Sequence, residues 1–302
     1  MARILVVGSM NMDIVTKVER HPIPGETMQG NETRFFIGGK GANQAVAAAR
    51  SGASVAMAGG LGADSFGVDI RRGLAEDRID LDYVAEKACM TGVALITVDE
   101  AGENNIILSS GANGRYGADE VDQLDFSGFD LILLQNEISS EANGRVLDKA
   151  AEKRIPVFMN PAPIAGFDQS QLSKVTFLIL NEVEAEALSG IRIEGSGQAL
   201  EAGKKMLKDG IPQLIITLGS KGSIYMDQSG SLITFPAFSV DAVDTTAAGD
   251  TFIGAFAAKY VTGAELRDCL RYATAASALA VSKPGAQSSI PRDDQVQSFL
   301  TK

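Results

Sequence analysis

The chain has 302 residues, 45% hydrophobic and 22% charged, with 27 Lys and Arg against 38 Asp and Glu and a formal net charge of −11. These proportions suit a globular protein with a sizeable core, and the acidic balance excludes the basic stripe that a nucleic-acid partner needs. A single histidine, His21, and two isolated cysteines, Cys89 and Cys269, exclude His-based triads, multi-histidine metal sites and a disulfide framework, leaving carboxylate, lysine, amide and backbone chemistry.

Residues 4–7 form an apolar run too short for a signal peptide or a membrane span, so the default expectation is a cytoplasmic protein without a membrane partner. Gly8, Ser9, Asn11 and Asp13 follow. Residues about 14–38 and 90–112 are alternating or β-rich, with a turn at residues 100–103, and predict a small inserted β-sheet that could close over a cleft as a lid. An extension of a main-sheet edge is the other reading of these segments. His21 lies in His-Pro-Ile-Pro-Gly and reads as a surface-loop residue. Gly38-Gly-Lys-Gly-Ala-Asn-Gln44 opens a helix over residues 42–50; it lacks P-loop spacing, and its glycines, Lys40 and Asn43 suit a polyhydroxylated ligand better. Gly59-Gly-Leu-Gly62 lacks the full dinucleotide fingerprint, so no nicotinamide cofactor is expected.

Further along, apolar runs at 131–134, 157–159, 177–180 and 214–216 show no alternation, as strands buried on both faces do. Amphipathic helical stretches at 142–153 and 198–208 lie between them. The strand–helix order predicts a three-layer αβα fold with a mainly parallel central sheet, residues 1–302 forming one domain with the lid inserted in it. Ligands of such sheets bind beyond the carboxyl ends of the strands, and polar residues follow these runs: Glu137, Asn160, Asn181 with Glu184, and Thr217 with Gly219. Asn181-Glu-Val-Glu184 places an amide and a carboxylate one helical turn apart, suited either to Mg²⁺ or to plain helix capping. Thr217-Leu-Gly-Ser-Lys-Gly222 could face nucleotide phosphates or be an ordinary turn. Finally, Asp244-Thr-Thr-Ala-Ala-Gly-Asp250 precedes a helical run at 251–260, so Ala247, Ala248 and Gly249 are expected to offer backbone N–H groups to an anion, with Asp250 beside them as a base.

Taken in order, the motifs at 8–13, 38–43, 160–163, 181–184, 217–220 and 244–250 resemble those of the ribokinase-like carbohydrate kinases over essentially the whole chain. The resemblance implies ATP-dependent phosphorylation of a sugar hydroxymethyl group, D-ribose at its 5-hydroxyl in the first instance, with Asp250 as catalytic base and the amides of Ala247, Ala248 and Gly249 as the anion hole. By matching position it implies sugar contacts from Asn11, Asp13, Gly39, Lys40, Asn43, Glu137 and Asp250. It implies nucleotide contacts from Asn181, Thr217, Gly219, Ser220, Gly222 and Gly249, and a Mg²⁺ ordered by Glu184 through water. A monovalent activator, K⁺, would be held by Asp244, Thr246, Ala280, Lys283, Gly285 and Ser289, and a homodimer would form through the lids. Met12 and Thr274 depart from the family's pattern, the first able to narrow the sugar site if it faces the cleft. Kinases of another sugar such as deoxyribose or a ketohexose, kinases of a nucleoside, and a non-catalytic sugar-binding regulator stand as alternatives. The absence of Trp speaks against the nucleoside, and the intact Asp250 against the regulator.

Overall fold

The computed structural model describes residues 2–301. The chain begins with strands β1 (Arg3–Val7), β2 (Asn11–Lys17) and β3 (Glu32–Gly38), then helix α1 (Lys40–Arg50), β4 (Ser54–Gly62), α2 (Ser65–Glu76), β5 (Asp80–Lys87), β6 (Gly92–Val98) and β7 (Asn104–Ser109). It continues through α3 (Ala118–Gln123), β8 (Leu131–Gln135), α4 (Ser140–Lys153), β9 (Val157–Asn160), β10 (Phe177–Asn181), α5 (Glu182–Ser189), α6 (Ser196–Lys208) and β11 (Gln213–Thr217). Strands β12 (Ser223–Asp227) and β13 (Leu232–Phe235) precede helices α7 (Ala248–Tyr260), α8 (Leu266–Val281) and α9 (Asp293–Leu300). No helix among the described residues is long and apolar enough to cross a membrane.

The large sheet runs β13-β12-β11-β10-β9-β8-β1-β4-β5. Every pairing from β11 to β5 is parallel; β12 and β13 add an antiparallel edge. The five apolar runs are the five adjacent strands from β11 to β1, and their successive residues feed opposite faces. Ile4, Val6, Leu131, Leu133, Phe177 and Ile215 pack against α1, α2, α7, α8 and α9. Leu5, Val7, Ile132, Leu134, Leu178 and Ile216 pack against α4, α5 and α6. Burial on both faces explains why these strands read as unbroken apolar runs. Strands β4 and β5 escaped the sequence pattern because β4 is Ser-Val-Ala-Met-Ala-Gly-Gly-Leu-Gly, a composition that looks like a loop although eight of its nine residues are buried.

The β-rich segments form a separate four-stranded sheet, β3-β2-β6-β7, not an edge of the large one. It is assembled by a parallel pairing of β2 with β6, flanked by antiparallel β3 and β7. The expected turn is present: the Asp99 carboxylate accepts from the N–H groups of Ala101 and Glu103, and Gly102 has φ 82°. His21 is half-buried within this sheet's loops, its Nδ1 3.1 Å from the Thr97 hydroxyl, and so is less exposed than a surface loop predicts.

Helices α1 and α7 lie unusually close. An ideal Cβ on Gly254 would stand 2.4 Å from the Gln44 carbonyl oxygen and 2.6 Å from the Ala47 Cβ, so only glycine admits this approach. The alanines of α1 thin its facing surface in the same way; Ala42, Ala45, Ala47 and Ala48 are all buried. Beneath α7, Phe158, Phe177, Phe256 and Tyr260 form one aromatic cluster, with Phe158 and Phe177 centroids 4.7 Å apart, which fixes the helix on the sheet.

Candidate active site

The carboxyl ends of β11, β10, β9, β8 and β1 deliver a row of polar residues: Thr217, Asn181, Asn160, Gln135 and, just past β1, Ser9. Register pairs Thr217 with Asn181 and Asn160 with Gln135. Four strand steps of ~4.8 Å make this row about 19 Å long, enough for a triphosphate and a sugar laid end to end. Its middle is a cleft of about 200 Å³ lined by Lys40, Asn160, Asn181, Glu184, Thr217, Ala247, Ala248, Gly249 and Asp250, among others.

At one end of the row, α1 begins at Lys40 and not at residue 42, capped by Gly39 at φ 91°. A Cβ on Gly39 would stand 2.8 Å from the Asn11 nitrogen and 2.9 Å from the Met10 Cα, so the turn needs glycine for both conformation and space. This turn brings Gly39 against Asn11 and sets Lys40 beside Glu137 and Asn43 beside Asp250, while Asn11 and Asp13 sit on the same face of β2. Asn11 Oδ1 accepts from Asn113 Nδ2 at 2.7 Å. Glu137 Oε2 accepts from the Ser9 hydroxyl at 2.5 Å and from the Lys40 N–H at 3.2 Å. Burial, with the charges of Glu137 and Asp250 adding to it, raises the Asp13 carboxyl from its ordinary 3.8 to about 7. Burial likewise pushes Glu137 up, opposed by the Lys40 charge and the Ser9 hydroxyl. Burial disfavours the Lys40 ammonium, but Asp250, Glu137 and Glu184 outweigh it and hold the amine above its ordinary value. One buried cation thus serves a ring of carboxylates that otherwise repel one another.

In the centre, α7 begins at Ala248, with Ala247 at φ 59° as its cap. A left-handed alanine is strained by about 1–3 kcal/mol, and it turns the start of the helix toward the cleft. The Ala247 and Gly249 N–H groups meet no acceptor among the described residues, whereas the Ala248 N–H is turned to the Thr245 carbonyl at 3.2 Å. Two of the three expected amide donors therefore stand free, and the third is engaged in a local turn. Asp250, only 8% exposed, receives the Asn43 amide on Oδ2 at 3.1 Å and the Gln44 amide on Oδ1 at 3.0 Å.

Toward the other end, Asn181 and Glu184 do form a capping box: Asn181 Oδ1 accepts from the Glu184 N–H at 2.8 Å and Glu184 Oε2 accepts from the Asn181 N–H at 3.0 Å. Glu184 also accepts from Asn160 Nδ2 and lines the cleft. Burial raises its carboxyl, against the opposing pull of the Asn181 N–H and Lys40. A carboxylate already holding three N–H donors fits Mg²⁺ through a water better than by direct ligation. Thr217 lines the cleft, while Gly219, Ser220 and Gly222 form the turn of the antiparallel β11–β12 hairpin, where Leu218 N–H donates to the Gly222 carbonyl at 2.7 Å. The cation candidates are brought into one region. Asp244 accepts from the N–H and hydroxyl of Thr246 and from the Gly285 N–H, and Val281, beside Ala280, accepts from the N–H groups of Val243 and Asp244. Hydrogen bonds draw the Asp244 carboxyl below its ordinary range against its burial. The Ser289 hydroxyl donates to the Ala286 carbonyl, which leaves its oxygen lone pairs open, and the Ala280 carbonyl receives the Lys283 N–H.

Against known proteins, the model of the pfkB family carbohydrate kinases matches residues 1–293. The chain belongs to the pfkB family of carbohydrate kinases. The kinase is 41% identical to the ribokinase of Schizosaccharomyces pombe over 96% of this chain and 95% of that protein. It is 34% identical to the deoxyribokinase of Salmonella typhi over 99% and 98%. Arabidopsis thaliana ribokinase, solved with ribose and ATP, superimposes with a TM-score of 0.90 at 33% identity over 100% of both chains.

Several residues that shape the kinase's site have no motif of their own in the sequence. Gln44 follows Asn43 in the quoted motif, yet its role depends on how α1 meets α7. Gln135 and Asn113 are fully buried and reach the site from β8 and from the turn after β7. Of the two departures, Met12 is 4% exposed and part of the core, pointing away from Asn11 and Asp13 by strand alternation. Thr274 is buried and bonds back to the Leu270 carbonyl of its own helix. Neither lines the cleft.

Proposed function

We propose that this kinase is a ribokinase, transferring the terminal phosphoryl group of ATP to the 5-hydroxyl of D-ribose. The observation that carries the reading is the convergence in one cleft of a buried carboxylate, Asp250, with the open amides of Ala247 and Gly249 and the ammonium of Lys40. Asn11, Asp13, Gly39, Lys40, Asn43 and Glu137 bind the sugar's hydroxyls, and Asp250 accepts the proton of the hydroxyl that attacks. Negative charge gathering on the transferred group is met by the amides of Ala247, Ala248 and Gly249, the Ala248 N–H leaving Thr245 to do so. Asn181, Thr217, Gly219, Ser220, Gly222 and Gly249 hold the nucleotide. Glu184 would order a Mg²⁺ through water, and the ion would supply positive charge to offset that of the nucleotide's phosphates. Asp244, Thr246, Ala280, Lys283, Gly285 and Ser289 supply carboxylate, hydroxyl and carbonyl oxygens of the kind K⁺ accepts, and an ion there would fix the loop leading into α7.

The relatives named ribokinase support the substrate, and the deoxyribokinase relative makes deoxyribose the second reading. Ribose is favoured because buried Asn11, whose Oδ1 is taken by Asn113, has its NH₂ left to give to a hydroxyl, and Asp13 on the same face of β2 is a carboxyl that can pair with one; a sugar lacking a hydroxyl leaves one of them unpaired. A nucleoside is disfavoured because the chain has no Trp to stack on a base. Residues 1–302 are read as one domain with 14–38 and 90–112 as its lid. A homodimer through the lids is supported by β7, an edge strand exposed along its whole length that carries Ile106, Ile107 and Leu108. The test is ADP release with ribose, deoxyribose, ketohexoses and nucleosides, with and without K⁺. Ribose should give the highest kcat/KM, and Asp250→Asn should lower kcat by about 10²–10⁴-fold. A wild-type rate from that variant would refute the assignment of the base.

A further inference from the structure

We infer that Gln44 is a positioning residue for Asp250, and that Gln135 holds the Gln44 amide in the orientation the carboxylate selects. The inference rests on Asp250 being the base. Gln44 and Gln135 are both 0% exposed, an unusual place for two uncharged amides unless their polar atoms are used. Gln135 Nε2 donates to Gln44 Oε1 at 2.7 Å, and Gln44 Nε2 donates to Asp250 Oδ1 at 3.0 Å. Gln135 itself is steadied from below, its backbone carbonyl accepting from Asn143 Nδ2 at 2.9 Å.

The direction of this chain follows from charge. Turning Gln44 over would set its oxygen against an Asp250 oxygen and its NH₂ against the NH₂ of Gln135, two repulsive contacts for two lost bonds. Turning both amides over would still leave oxygen facing carboxylate. The carboxylate therefore selects one arrangement, and the two amides in turn fix the carboxylate. Asn43 holds the second oxygen, Oδ2, at 3.1 Å. With one donor on each oxygen, rotation of the carboxylate about its final bond is arrested. Gln44 has no route to the substrate of its own, since it is 0% exposed and its two amide atoms are taken up by Asp250 and Gln135. It acts on turnover only through the base.

The charged groups around Asp250 come from four other elements: Lys40 at the start of α1, Asp13 on β2, Glu137 after β8 and Glu184 on α5. None is altered by changing Gln44. The experiment uses Gln44→Leu, Gln44→Glu and Gln135→Leu in the full chain, alone and combined with Asp250→Asn, with thermal melts and nucleotide binding as folding controls. Gln44→Leu should lower kcat roughly 10- to 100-fold, the worth of a hydrogen bond to a charged group, while KM for sugar and nucleotide changes by less than about 3-fold. Gln135→Leu should give a smaller loss of the same kind. In the Asp250→Asn background neither substitution should lower kcat further. Gln44→Glu, close to isosteric, sets a second carboxyl against Asp250, and the acidic limb of its kcat–pH profile should move to higher pH by about a unit or more. Equal losses with and without Asp250, or an unmoved profile for Gln44→Glu, would mean that Gln44 only packs, overturning the inference. Wild-type turnover by Gln44→Leu would overturn it too, while leaving the base assignment intact provided that Asp250→Asn remains slow.

Discussion

The substitution Gly254→Ala should separate the base from the amides that hold it, without replacing either. The added methyl would lie 2.4 Å from the Gln44 carbonyl oxygen, 2.6 Å from the Ala47 Cβ and 2.8 Å from the Ala48 nitrogen. Unstrained contacts need about 3.5 Å, so α1 and α7 must part by about 1 Å. The Asn43 and Gln44 bonds to Asp250, now 3.1 and 3.0 Å, would then lengthen to about 4 Å and cease to be hydrogen bonds. For stability, overpacking costs about 1–3 kcal/mol and the helix gains about 1 kcal/mol by exchanging glycine for alanine, a net loss of about 0–2 kcal/mol. Catalysis suffers more, because a 1 Å misplacement of a reacting group costs about 10²-fold. Thermal denaturation and steady-state kinetics of Gly254→Ala measure the two effects. Gly197→Ala on α6 is the control, since a Cβ there meets nothing within 4 Å, and its activity should be unchanged. A Gly254→Ala enzyme with wild-type kcat would show that the α1–α7 distance does not set the geometry of Asp250.

The raised Asp13 carboxyl makes a stability prediction with a definite sign: the folded state keeps a proton that the unfolded chain loses at 3.8, so this group's contribution falls as pH rises from 3.8 to about 7. Asp13→Asn should remove that fall, and its Tm relative to the wild type should be more favourable at pH 8 than at pH 4; a difference independent of pH would refute the assignment. Glu184→Gln keeps an oxygen to cap the Asn181 N–H, so its Tm should drop by only a few degrees, while the Mg²⁺ concentration for half-maximal activity should rise several-fold; a change in Tm alone would leave Glu184 a cap and nothing more. Ile107→Lys, on the exposed edge of the small sheet, should shift the enzyme toward monomer in sedimentation measurements, and an unaltered mass would place the dimer contact elsewhere or nowhere.

Much of the fold was legible in the sequence. Five unbroken apolar runs announced five parallel strands, because a strand covered on both faces has no polar side to alternate with. The lid was legible from its β-rich composition and from its turn, which carries Asp99 and Gly102. Strands β4 and β5 were not legible: β4 packs glycines and alanines against neighbouring backbone and lacks the hydrophobic signal that marks a strand, and β5, Asp-Leu-Asp-Tyr-Val-Ala-Glu-Lys, is a mostly polar strand at the sheet edge. The start of α1 was read two residues late, at 42 instead of Lys40, since it begins in a glycine-rich turn with no side-chain cap, whereas the small residues 247–249 were read as the N-terminus of α7, where the helix does begin.

For the site, sequence alone determined the inventory. The residue types at the strand ends, the small residues before Asp250 and the near absence of histidine already confined the chemistry to carboxylate and backbone amides, because those are the groups available. Only the tertiary structure decided which of them meet. Whether Asn181 and Glu184 form a cap or face a cleft turned out to be a false choice, as the geometry does both. Met12 was resolved by the face of β2 on which it falls, and the state of the Ala248 amide by the turn it makes with Thr245. Gln44 and Gln135 are 91 residues apart, and neither has meaning until a glycine 210 positions after Gln44, at 254, lets two helices close over Asp250. Local sequence fixes what a residue can donate or accept, but packing alone brings distant donors and acceptors within hydrogen-bonding reach.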